Sequence, residues 1–188
     1  MSLFQNIIVI LLLIAAAGFL SLTEIALAGA RKVKLKILAE SGELRAQKVL
    51  DLQAQSANFF AASQIGLNAI AILGGILGEA AFRPYFVELM QHFYNGPWLE
   101  TIGFALSFTL VTSLFILFAD LMPKRLAMIA PEKIAIRVID PIQVFIKVCK
   151  PLAWGINAIA NLLFRLFKVN TVRDDNITFD DISAVMDA

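Results

Sequence analysis

The chain predicts an all-α integral membrane protein, with three transmembrane helices and amphipathic juxtamembrane helices along the cytosolic face. Three observations carry that expectation. Its 188 residues are 59% hydrophobic and 16% charged, with a mean hydropathy of +0.77, values typical of membrane proteins. Three uncharged stretches, Met1–Thr23, Leu52–Gly78 and Thr101–Ala119, match the about 20 residues, at about 1.5 Å rise each, that a bilayer crossing takes. The charges between them fall mainly on one side of the membrane.

The first span is expected over about 3–28. No basic residue precedes its apolar run, which is longer than the apolar region of a signal peptide, so it reads as a retained helix. Next comes "RKVKLKILAESGELRAQKVLDLQ", where Val33, Leu35, Ile37, Leu38, Leu44, Val49 and Leu50 interleave with charges. That pattern predicts interfacial helices over about 32–52, broken near Ser41-Gly42. The second span is placed at about 56–80 and the third at about 99–122, joined by a loop holding Pro84, "YNGP" and Arg83.

Charge sets the orientation. Arg31, Lys32, Lys34, Lys36, Arg45 and Lys48 follow the first span, and Lys124 and Arg125 follow the third. The loop after the second carries Glu79, Glu88 and Glu100 against Arg83. Positive charge stays inside, so the N-terminus is expected outside and the C-terminus in the cytosol. Residues 131–168 are apolar but interrupted by Pro131, Pro141, Pro151 and six cations. They predict juxtamembrane amphipathic helices; Pro151–Phe164 is short for a fourth crossing. The polar, acidic residues 169–188 read as the start of a cytosolic linker, with Thr178 an N-cap before Asp181.

Composition also excludes. A net charge of +1 gives no overall attraction for nucleic acid. One cysteine, Cys149, rules out an intrachain disulfide and a cysteine-rich metal site, and reads as a small buried hydrophobe. The single histidine, His92, lies in the external loop as a solvated residue.

Two acids stand out. Glu24 precedes Arg31 by seven residues, about 10 Å along a helix, and Asp120 precedes Lys124 by four, about 6 Å. Ser21 shares a helix face with Glu24, and Gln64 shares one with Asn68. The functional reading is a polar pocket between helices: Glu24 and Asp120 supply charge, and Ser21, Thr23, Gln64 and Asn68 supply neutral groups. Oxygen ligands of this kind suit hard cations or ammonium ions. A mid-membrane carboxylate costs about 2.5–3.5 kcal/mol on insertion scales, which argues against an idle one.

Plainer readings stand beside these. Asp120 and Lys124 fit an interfacial i,i+4 ion pair. Glu24 fits a pair with Arg31 or Lys32, or a side chain snorkelling to headgroups. Pro123 fits a simple helix end, or a break that frees carbonyls beside Asp120 and, with Lys124, takes part in gating. Gly74 and Gly75, in the "GGILG" run ending at Gly78, fit close helix packing or exposed carbonyls.

"FLSLTEIAL" on the first span, "QIGLNAIAILGG" on the second and "ADLMPKRLAM" on the third resemble the CorC/CNNM transmembrane domain, also called DUF21, over nearly the whole chain. The resemblance implies a homodimer in the bacterial inner membrane, three helices per protomer and an intramembrane cation site. It also implies cytosolic CBS domains after this segment, the only place where nucleotide binding is expected. Ser21 and Glu24 match the first-helix motif; Asp120, Pro123 and Lys124 match the third-helix acid, proline and lysine. Here Ala119-Asp120 replaces the usual glycine-glutamate, and Leu67 rather than asparagine follows Gly66. Mg²⁺, if it is the substrate, would use Ser21, Glu24, Asn68 and Asp120, but it needs close octahedral oxygens that these changes weaken. The same variants resemble the polyamine-exporting branch of the family.

The leading expectation is therefore export of small organic cations such as putrescine and cadaverine, without catalysis. Mg²⁺ or Co²⁺ efflux is the alternative, and a membrane anchor or regulator without transport of its own is the next. An intramembrane hydrolase would need Glu24 and Asp120 to share a proton.

Overall fold

Apolar, helix-favouring residues without a proline form α1 (Leu3–Gly29). The structure, a computed structural model, describes residues 3–166; among these the chain is helical apart from short turns, and no strand occurs. The chain divides into two compact units, Met1–Ala153 and Trp154–Ala188, and the packing that positions the polar groups belongs to the first. Three stretches are long and apolar enough to cross a membrane: Phe4–Gly29, Phe59–Gln91 and Leu99–Ile129. The chain is an integral membrane protein with three such helices.

α1 packs against both other candidate spans. Its buried residues Ile10, Ala17, Leu20, Ser21 and Ala26 recur at helical spacing, and most are small, so neighbouring backbones come close. A Cβ on Gly18 would sit 3.2 Å from Pro123 Cγ and 3.3 Å from the Phe118 carbonyl oxygen. That close approach seats α1 against the third span.

α2 (Lys32–Glu40) and α3 (Leu44–Ala54) form the basic hairpin after α1. Gly42, at φ +100°, makes the turn; Glu43 N–H donates to Leu38 O and Gly42 N–H to Ala39 O, each at 3.0 Å. These two bonds close α2 in a Schellman motif, which the Ser41-Gly42 pair foreshadows.

α4 (Ser56–Gln91) extends eleven residues into the region expected as a loop, whose "YNGP" part does lie in the turn before Leu99. Pro84 lies inside the helix, and Arg83 pairs with Glu79 one turn back while its guanidinium sits 5.4 Å from the Phe104 ring centroid. The helix is also unbroken at Gly74 and Gly75. A Cβ at Gly74 would fall 2.0 Å from Phe115 Cζ, and one at Gly78 2.5 Å from Val111 Cγ1, whereas Gly75 has nothing within 4 Å. Gly74 and Gly78 are seats for the third span.

That span comprises α5 (Leu99–Leu114), a π-helical segment Phe115–Leu121 and α6 (Met122–Ile129). Pro123 does not end it. Met122 N–H reaches Leu117 O, an i→i−5 bond; the next donor in that register falls on Pro123, which has none, and α-helix resumes.

α7 (Pro131–Leu166) starts on Pro131, where a missing N–H costs nothing. It buries Ala135, Val138, Ile139 and Ile142, a stripe at i, i+3, i+4 and i+7. Breaks were expected at Pro141 and Pro151, but the helix continues through both. The carbonyls deprived of donors belong to Arg137 and Lys147, two exposed positions where other partners can reach them. The linker expected over 169–188, with its Thr178 cap, lies outside the described residues.

Candidate functional site

Three elements meet around one face of α1. Ser21, fully buried, donates from Oγ to Asp120 Oδ1 at 3.1 Å. Lys124 Nζ lies 2.6 Å from the same oxygen. One turn further along α1, Glu24 Oε1 accepts from Gln64 Nε2 of α4 at 3.0 Å. Ser21 and Glu24 are three residues apart, about 4.5 Å along the axis. Asp120 is thus engaged through Ser21 about one turn of α1 from Glu24, and each acid is met by its own donors.

The π-helical segment is what aims Asp120. A π turn holds an extra residue, which rotates everything beyond it around the axis. Ala119 is buried on the α1 side, and Asp120 next to it reaches Ser21 while 47% of its side chain stays exposed. Lys124 is 34% exposed, so the pair is open to its surroundings rather than sealed in the core.

The other expected members divide. Thr23 is buried and donates to Phe19 O at 2.7 Å, which spends its hydroxyl on the turn of its own helix. Asn68 is exposed and lies one turn from Gln64, outside the hydrogen bonds of Glu24 and Asp120. Pro123 packs on Gly18, and Gly74 and Gly75 lie further along α4. Among the described residues, no three His, Cys, Asp or Glu side chains come together as a metal-holding group.

Some buried polar groups carry little sequence signal. Ser63, one residue before Gln64, is fully buried and its hydroxyl has no partner among the described residues. Buried orphan hydroxyls are uncommon and mark places where a water or ligand is wanted. Gln53 donates from Nε2 to Leu27 O at 2.7 Å and Ala30 O at 2.9 Å, capping the end of α1.

Two ion clusters frame the basic hairpin. Glu132, whose side chain is 10% exposed, receives Arg31 Nε at 3.1 Å and Lys34 Nζ at 3.6 Å. Desolvation raises its pKa, but its own backbone N–H at the start of α7, the Arg31 hydrogen bond and the Lys34 charge outweigh this, and the pKa is lowered. Asp140 receives Lys48 Nζ at 2.7 Å and Arg45 Nε at 2.9 Å. The Lys48 hydrogen bond is the main cause of its lowered pKa; desolvation opposes it and the two cations add to it. Arg31 is thus committed to Glu132 rather than to Glu24. Burial raises the pKa of the Cys149 thiol, as suits an inert side chain.

The family described as the cyclin M transmembrane N-terminal domain matches residues 7–188. A polyamine export protein of Escherichia coli (strain K12) is 52% identical over 184 residues, covering 98% of this chain and 41% of that protein. A polyamine export protein of Haemophilus influenzae is 44% identical over 188 residues, covering 100% of this chain and 44% of that protein. A UPF0053 protein of Synechocystis is 30% identical over 179 residues, covering 95% of this chain and 40% of that protein. The chain spans less than half the length of these relatives.

Proposed function

The chain belongs to the cyclin M transmembrane family, and from that premise we propose that it is the membrane part of an exporter of small organic dications such as putrescine and cadaverine. The observation that carries the reading is a pair of carboxylates engaged at α1, Glu24 on that helix and Asp120 bound to Ser21 one turn away. Glu24 is met by a neutral amide and Asp120 by a hydroxyl and an ammonium. Two separated acids with hydrogen-bonding neighbours suit a flexible diamine better than the tight oxygen octahedron of dehydrated Mg²⁺. The names of the relatives point the same way.

The reading extends to orientation and setting. The basic hairpin and α7 lie in the cytosol and the N-terminus outside, in the inner membrane of a bacterium, with two copies forming the working unit. Substrate enters from the cytosolic side, exchanges its water for the two acids, and leaves when the helices rearrange. A carboxylate pair sharing one proton, as hydrolysis would require, is not supported, because separate donors engage each acid.

Mg²⁺ or Co²⁺ efflux is the second reading, favoured by the family match. An anchor or regulator without flux is the third. Efflux of labelled putrescine from proteoliposomes holding the full-length protein separates them, with Mg²⁺ as competitor. Putrescine flux that Mg²⁺ inhibits only weakly is expected. Mg²⁺ flux that putrescine leaves untouched would favour the second reading, and the absence of any flux the third.

A further inference from the structure

Asp120 already holds an ammonium group. Lys124 Nζ sits 2.6 Å from Oδ1, the oxygen that also accepts Ser21 Oγ, and Oδ2 has no partner among the described residues. The Lys124 side chain is chemically a butylammonium, four methylenes ending in a primary ammonium. An alkane-1,4-diamine carries that same group at each end. We propose that Lys124 is a tethered occupant of the substrate's ammonium position, a resident competitor that every incoming amine must displace. The proposal rests on the transport reading and deepens it to the occupancy of the same site.

The physical argument is one of exchange. Replacing one primary ammonium by another at Asp120 changes few contacts, so concentration and any additional contact decide the outcome. The tether presents Lys124 at an effective concentration on the order of millimolar. A monoamine gains only the Asp120 contact and must outcompete that tether alone. A diamine also reaches Glu24, one turn along α1, and this second contact tips the exchange in its favour. An exposed i,i+4 pair is weak, about 0.3–0.5 kcal/mol, and both partners here are partly exposed. The resident ammonium can therefore leave without any unfolding.

Binding of n-butylammonium and putrescine to the purified full-length protein tests this by calorimetric titration. In Lys124→Gln, n-butylammonium and putrescine affinity should both rise by the same factor, about threefold for a pair of that strength, because each amine displaces the same tether. Unchanged affinity for both amines, or a rise confined to one of them, overturns the proposal. Lys124→Arg keeps the charge but holds a carboxylate more firmly through its planar fork, and both amines should bind more weakly. Unaltered binding in that variant also overturns it, which covers the case of a Lys124→Gln protein that fails to fold. Loss of putrescine flux in wild-type proteoliposomes would defeat the transport reading alone, because the butylammonium comparison is read from binding.

Discussion

A carboxylate on a membrane helix has to be met by donors, and the two here are met unequally. Glu24 has the amide of Gln64, while Asp120 has the hydroxyl of Ser21 and the charge of Lys124. If both acids bind substrate, Glu24→Gln and Asp120→Asn should each cut putrescine transport at least about tenfold, the loss of roughly one charge-assisted contact. Normal flux in both would remove them from the site. Gln53 is a stability residue instead: Gln53→Ala strips α1 of its carbonyl cap and should cost about 1–3 kcal/mol, read as a lower thermal midpoint in detergent. At this scale the sequence is partly legible. Spacing alone puts Ser21 beside Glu24, because α1 is a regular helix. It does not show that Thr23 turns back onto Phe19, nor that Asp120 meets Ser21, because the π-helical segment shifts the 3.6-residue register before Asp120. Asn68 shares a helix face with Gln64 but lies a turn further along α4, beyond the level of Glu24.

At the scale of elements, glycines and prolines read differently in space than along the chain. Gly74, Gly75 and Gly78 form one run, yet Gly74 and Gly78 face Phe115 and Val111 while Gly75 faces open space. Gly78→Ala should therefore destabilise by about 1–3 kcal/mol through overpacking. Gly75→Ala should be neutral or stabilise by up to about 1 kcal/mol through helix propensity. Equal thermal midpoints for the two variants would contradict the observed packing of α4 on the third span. The prolines Pro84, Pro141 and Pro151 suggest helix ends in sequence, but each sits inside a helix. A proline removes one bond and leaves the rest of the helix intact when tertiary packing holds both sides, and that packing is a long-range fact. The Ser41-Gly42 break is legible because a Schellman close needs only local chemistry.

Across the whole molecule, the three spans follow from hydropathy and the basic hairpin from charge, while its attachment to α7 depends on pairs about a hundred residues apart. Arg31 and Lys34 converge on Glu132, and Arg45 and Lys48 on Asp140. Both acids ionise more readily in the fold than in the unfolded chain. Their contribution is complete above the ordinary values of 4.5 for Glu and 3.8 for Asp, and is lost as pH falls through the lower folded values. Acid should therefore lower the thermal midpoint in detergent, and Glu132→Gln should lower it at neutral pH while flattening the acid decline. An unchanged decline would mean that Glu132 plays no part in it. The central claim, that Glu24 and Asp120 together hold one dication, is tested most directly by putrescine titrations of wild type, Glu24→Gln, Asp120→Asn and the double variant. We expect one putrescine per chain and single losses that do not add in the double variant, since both acids grip one molecule. Strictly additive losses, or wild-type affinity in either single variant, would contradict it.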